Sequence, residues 1–233
     1  MDWDSNGKKD LVVGESYNNG RVRVYSNTGS DSSPSFSGHD FIQVGGSDFQ
    51  VGDQAMPFVV DWNNDGKKDL LCGEINGRIY YLENVGLDAY PVFTSSAFIQ
   101  NNGSTLAAGG RSAPIAYDWD SDGKKDLLIG SSDGRIRFYR NTGSDARPAF
   151  NGYQHLKIDG VNIDVGSYSR PDVFDWNGDG MVDLLVGNGD GNVRVFKAVN
   201  PALPQLSLVS AVVNDSSGDG DCRLDPGESA QIM

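Results

Sequence analysis

"DWDSDGKKDLLIG", Asp118 to Gly130, places carboxylates at its first, third, fifth and ninth positions: Asp118, Asp120, Asp122 and Asp126. Like charges this close repel, since two carboxylates about 4 Å apart cost roughly 1–4 kcal/mol depending on local dielectric. The phrase nevertheless recurs. It reads DWDSNGKKDLVVG from Asp2, DWNNDGKKDLLCG from Asp61 and DWNGDGMVDLLVG from Asp175, at spacings of 59, 57 and 57 residues. All four tryptophans, Trp3, Trp62, Trp119 and Trp176, occupy its second position. Self-similarity at a fixed period marks a repeat architecture and takes precedence over local readings.

Each unit reads as short strands. An apolar run ends at the first aspartate (PFVV before Asp61, PIAY before Asp118, PDVF before Asp175), and a second run starts at the last aspartate. Short continuous apolar runs between turn residues suit strands buried on both faces. Turn residues follow at Asn18–Gly20, Asn76–Gly77, Asp133–Gly134 and Asp190–Gly191, which predicts two-residue hairpins. A third run alternates as a half-exposed strand does: RVRVY from Arg21, RIYYL from Arg78, RIRFY from Arg135 and NVRVF from Asn192. A fourth opens at Phe36, Phe93 and Phe150, two residues after Pro34, Pro91 and Pro148. Four sequential antiparallel strands per repeat of about 57 residues predict an all-β fold, a β-propeller of four-stranded antiparallel blades. A solenoid is the main alternative, but its repeats are usually shorter.

The ends depart from the pattern. Repeat one begins at the acidic loop, without a first strand. In repeat four "KAVNPALPQ" replaces the Asn-Thr-Gly segment that leads to the outer strand. The chain is therefore expected to be part of a larger propeller; the alternative is closure on itself, with LSLVSAVV, Leu206 to Val213, filling the gap. Residues 1–200 are assigned to the propeller. Residues 201–233 are assigned to a stiff Pro-containing linker and the truncated start of a second β-domain.

Bulk composition narrows the function. A formal net charge of −13 with 19 Lys+Arg gives no basic face for nucleic acid. No apolar run approaches the roughly 18 residues of a membrane span, so direct membrane insertion is not expected. No signal peptide is visible, since residue 2 already lies in the motif. Cys72, in an apolar strand, and Cys222, in the tail, are expected to be unpaired.

The loops carry the chemistry. A tight loop turns alternate side chains inward, gathering positions 1, 3 and 5, and glycine at 6 permits the sharp turn. Position 7 then offers a backbone carbonyl, which is the ligand logic of an EF-hand loop, but with the last acid at 9 and opening a strand. All-oxygen ligands select a hard cation, and flexible coordination favours Ca2+ over Mg2+. The expected ligands are Asp2, Asp4, Asn6, the Lys8 carbonyl and Asp10 in repeat one, and Asp61, Asn63, Asp65, Lys67 and Asp69 in repeat two. Repeat three offers Asp118, Asp120, Asp122, Lys124 and Asp126, and repeat four Asp175, Asn177, Asp179, Met181 and Asp183. One ion per loop gives about four Ca2+. The metal-free alternative is a set of Asp-rich turns held by side-chain to backbone hydrogen bonds. Four copies in register argue against it. Asp219, Asp221 and Asp225 are candidates for a fifth site.

The pattern resembles the FG-GAP/VCBS repeat family over about Asp2–Val199, and through it the propeller of integrin α chains and of many secreted bacterial proteins. The resemblance implies metal loops between the first and second strands of each blade. "MV" for "KK" in repeat four touches no ligand side chain. The tail GDGDCRLDPGESAQI resembles the opening of immunoglobulin-like modules that follow such propellers, which implies a downstream domain of that kind in the parent chain.

No catalytic residue is predicted, because no nucleophile elbow, phosphate-cradling loop or zinc motif is present and the aspartates are committed to metal. His39 and His155 read as surface residues. Each tryptophan should point out of its loop and pack on the neighbouring blade. Arg137, Tyr139 and Arg140 show how an exposed third-strand face would bind glycan or protein. The expected function is a calcium-binding, non-catalytic recognition or adhesion module for glycan or extracellular protein, in a secreted or cell-surface protein. The alternative is an accessory or catalytic propeller of a secreted, lyase-like polysaccharide-degrading enzyme.

Overall fold

The computed structural model describes residues 1–17, 19–198 and, as backbone, 206–209. Every sheet is antiparallel, and the main sheets follow chain order as propeller blades. The first blade has three strands, Leu11–Gly14, Val22–Tyr25 and Asp40–Phe41. The second has Met56–Val60, Asp69–Gly73, Ile79–Leu82 and Ala97–Phe98. The third has Ala113–Tyr117, Asp126–Gly130, Ile136–Tyr139 and Gln154–His155. The fourth has Arg170–Phe174, Asp183–Gly187, Val193–Ala198 and Leu206–Val209.

Leu206–Val209 thus pairs with Val195–Ala198 and gives repeat four an outer strand where the repeat pattern breaks off. The remainder of the proposed second β-domain, with Cys222 and the candidate fifth site, lies outside the described residues. Among those that are described, no helix is long and apolar enough to cross a membrane.

Apolar periodicity places the core between blades. The buried residues form three clusters, one per joint between successive blades. In the joint between blades two and three, Trp62, Leu71 and Ile79 meet Ala116, Leu127, Ile129 and Phe150. Leu127, Leu128 and Ile129 are fully buried, as expected of a strand covered on both faces. The glycine that ends the acidic phrase in the first three repeats has a packing reason: a Cβ on Gly73 would lie 1.9 Å from the Ser112 carbonyl oxygen at the entry to the next blade. Cys72 is buried and free, and burial pushes its thiol up to about 12.

Two local expectations change. The turn between second and third strands is longer than two residues. In blade two Gly77 donates to the Glu74 carbonyl and Glu74 to the Arg78 carbonyl, with Gly77 at φ +85°, which is a type I turn closed by a left-handed glycine. The tight hairpins lie elsewhere, in small ribbons that join the blades. Their turns are Gly45-Gly46, Asn102-Gly103 and Asp159-Gly160, all at positive φ.

Candidate metal centres

Each acidic loop joins the first strand of its blade to the second; in the first blade the loop leads directly into Leu11–Gly14. The first aspartate shapes the loop by accepting two backbone N–H groups. Asp118 takes the amides of Asp122 and Gly123, both at 2.9 Å. Asp2, Asp61 and Asp175 do the same with their own fifth and sixth residues. The fifth residue, Asn6, Asp65, Asp122 or Asp179, accepts from the amide of the seventh, Lys8, Lys67, Lys124 or Met181. Gly7, Gly66, Gly123 and Gly180 at position six have φ between +82° and +86°, which a side chain would resist.

The ninth aspartate is buried in every loop. Asp126 accepts from the Trp119 amide at 3.1 Å and the Asn141 amide at 2.7 Å. It therefore ties the loop to the end of the third strand. Asp10 and Asp69 repeat the pair with Trp3 and Asn27, and with Trp62 and Asn84. Asp183 holds Trp176 and Ala198.

The structure gathers positions one, three and nine. One oxygen from each of Asp118, Asp120 and Asp126 lies within 4.8 Å of the others, and so does one from each of Asp2, Asp4 and Asp10. In repeats two and four position three is Asn63 or Asn177. Asn63 reaches Glu83 at 3.3 Å, and Asn177 reaches Asp179 at 2.7 Å. Position five stands apart from the carboxylate triad: Asp122 faces Lys124 and Arg140, each at 3.2 Å. The lysines at position seven fold back onto the protein, Lys67 to Asp65 and Lys8 to the Thr28 carbonyl.

The third loop fits a hard cation best. Oδ1 of Asp120 is buried with no hydrogen-bond partner, an arrangement whose desolvation cost a coordinated ion would offset. Burial, reinforced by the Asp120 and Asp122 charges, pushes Asp126 up to about 6. Burial, with help from Asp65, also raises Asp69. Arg140 partly compensates the third loop through Asp120, at 2.6 Å, from a side chain that is largely in water.

Two expectations outside the loops come out differently. Trp62 and Trp119 are buried, and Trp62 stacks near Phe150 of the next blade. Trp176 is 40% exposed. The third-strand face around Arg137 is not open. Arg137 folds onto Asp133 and Ser131, and Tyr139 is buried against Phe150. Only Arg140 of that trio reaches solvent. His39 is exposed, whereas His155 is half-buried on an outer strand with an unpartnered Nδ1.

A second polar series accompanies the loops. Asp31, Asp88 and Asp145 recur at 57-residue intervals. Each accepts the amide of the eighth loop residue, Lys9, Lys68 or Lys125, at 2.7–2.9 Å. Position four of one loop then reaches the next blade. Ser5 donates to Asp88 at 2.8 Å, and Asn64 donates to Asp145 at 2.5 Å. Lys68 and Lys125 close the two clamps on Ser5 and Asn64. The period would have revealed these aspartates; the partner at position four is visible only in the fold.

The FG-GAP-like repeat model matches residues 2–72 and 118–186. Mouse integrin alpha-7 is 29% identical over 155 residues, and human integrin alpha-7 is 28% identical over 154. Each match covers 60% of this chain, which spans 12% of the length of those relatives. A chain of a Photorhabdus luminescens Tc holotoxin pore aligns over 89% of this chain and 12% of its own length, at 14% identity and a TM-score of 0.35. Matched over more than half its residues, the chain belongs to the FG-GAP-like repeat family.

Proposed function

We propose that this chain is a Ca2+-dependent recognition module, a set of propeller blades that binds an extracellular protein or glycan without catalysis. The carrying observation is the third loop, where Asp118, Asp120 and Asp126 converge and one Asp120 oxygen is buried without a partner. An ion bound there supplies positive charge that offsets the carboxylate repulsion. The chain supplies the rest: Asp118 holds the loop's amides, and Asp126 fixes it to the third strand. Asp2, Asp4 and Asp10 form the comparable centre in repeat one. The loops of repeats two and four, with asparagine at position three, offer two carboxylates at positions one, three and nine where repeats one and three offer three, and are proposed as weaker sites.

Extracellular Ca2+ modules bind at about 10⁻⁴–10⁻³ M, a range that suits loops this open and supports a module working outside the cell or on its surface. The similarity to the integrin alpha-7 chains supports adhesion or recognition. A cleft of about 670 Å3 between the first two blades, lined by Trp3, His39, Phe41, Asp48, Pro91 and Phe93, offers aromatic and polar contacts for such a ligand. The chain should be screened against a glycan array and a panel of extracellular-matrix proteins, with Ca2+ and with EDTA. Ca2+-dependent capture that His39→Ala or Phe41→Ala weakens is expected. Absence of any binding would reduce the chain to a structural role, and release of unsaturated ends from pectic polymers would turn the reading to a lyase.

A further inference from the structure

We infer that the cleft between blades one and two is a saccharide subsite, and that it takes a neutral sugar unit rather than a charged one. The inference rests on the recognition reading above and names the ligand class for that site.

The joints between blades one and two and between blades two and three are built on one frame. In both, the tryptophan of an acidic loop faces a phenylalanine of the next blade, Trp3 with Phe93 at 6.3 Å between ring centroids and Trp62 with Phe150 at 6.4 Å. The space beside that frame differs. It is about 670 Å3 in the first joint and about 190 Å3 in the second. Only the first falls within the roughly 300–1,000 Å3 usual for ligand pockets.

One cross-strand pair separates the two joints. Residues opposite each other in adjacent strands share a face of the sheet. In blade two the pair between the third and outer strands is Tyr81 and Ala97, and in blade three it is Phe138 and Gln154, so each carries a large ring. In blade one it is Val24 and Asp40. A short side chain and a carboxylate thus stand where the other blades have an aromatic ring. Val24 and Asp40 both line the first cleft, and Tyr81 lines the second.

The walls select the ligand. Aromatic surface comes from Trp3, Phe41 and Phe93, and polar groups from His39, Asp40 and Asp48. A wholly apolar ligand would take water from those polar groups and return nothing. A cationic ligand meets Arg21, whose guanidinium lies 3.9 Å from the centre of the Phe41 ring and pairs with Asp48 at 3.6 Å. An anionic ligand meets Asp40, which is exposed, in a chain of net charge −13. A neutral sugar suits both kinds of wall. Its C–H face lies on the rings, and its hydroxyls donate to the carboxylates in charge-assisted bonds.

The full chain should be screened in Ca2+ on an array that carries neutral oligosaccharides beside uronate- and sulfate-bearing ones, with matrix proteins in parallel. Methyl glucoside, methyl galactoside and methyl N-acetylglucosaminide serve as competitors. Neutral glycans should bind, and at least one methyl glycoside should displace them. Val24→Tyr copies the filled joint and should weaken that binding about tenfold or more. Its melting temperature should stay close to wild type, since blade two carries tyrosine at the same position. Asp40→Asn removes one charge from an exposed side chain and should narrow the preference for neutral over acidic glycans. Capture of acidic glycans alone, or of matrix proteins alone, would overturn this inference and leave the recognition reading standing. No binding to any probe would overturn both. Neutral-glycan binding indifferent to both substitutions would overturn the assignment to this cleft.

Discussion

The third and fourth acidic loops share a phrase but not an environment. Asp118 and Asp175 fold their loops through the same amides, and Asp126 and Asp183 are equally buried. Beyond that the loops diverge. Trp119 is buried by residues of blade four, and Asn141 continues the third strand into a further set of hydrogen bonds. Trp176 lies open, Ala198 stands where the others have asparagine, and Asn177 and Asp179 are exposed. The difference teaches that a blade supplies only half of its loop's support and that the next blade supplies the rest.

Substitutions at equivalent positions should divide along that line. Trp62→Ala should cost about 3–5 kcal/mol, the usual range for a buried large aromatic, and Trp176→Ala well under half of that. Chemical denaturation measures both, and equal losses would break the comparison. Gly130→Ala drives a methyl to 2.2 Å from the Ser169 carbonyl oxygen and should cost roughly 1–3 kcal/mol through forced backbone shifts. Gly187→Ala makes only an ordinary 3.9 Å contact with the Arg170 side chain and should stay within about 0.5 kcal/mol of wild type. The inter-blade clamp is a smaller effect: Asn64→Ala removes the contact with Asp145 and should cost about 0.5–1.5 kcal/mol. Ser121→Ala, at the same loop position but without a side-chain hydrogen bond among the described residues, should be near neutral.

The pH dependence should change sign with the ion. In chelator, Asp126 titrates near 6 in the folded chain and near its ordinary value when unfolded. The folded state then binds the extra proton between those values, so this group's contribution to stability falls as pH rises through that window. A bound cation reverses the slope, because protons compete with it for the same carboxylate. Thermal melts between about pH 4 and 6, with and without Ca2+, should slope in opposite directions. Parallel slopes would count against a cation at Asp126.

The blades were legible because their signals are periodic. The tryptophan and the aspartates at positions one and nine return in every repeat, and strand two is apolar throughout. What escaped the sequence depends on contacts between repeats. Asp88 and Asp145 look like ordinary turn residues, since the side chains that use them lie 83 and 81 positions away. Arg137 and Tyr139 alternate as an exposed face would, yet one finds Asp133 and the other is covered in the joint. Leu206–Val209 follows a Pro-rich stretch that breaks the repeat, and only pairing with the third strand reveals its place.

The central claim is that the acidic loops are divalent-cation sites that stabilise the fold. Its most direct test is calorimetric titration of chelator-treated chain with Ca2+, paired with a thermal melt of each state. Saturable uptake is expected, with a higher melting temperature in Ca2+ and with the third loop's share of both effects lost in Asp120→Ala. No heat of binding, together with a melting temperature that EDTA leaves unchanged, would contradict it.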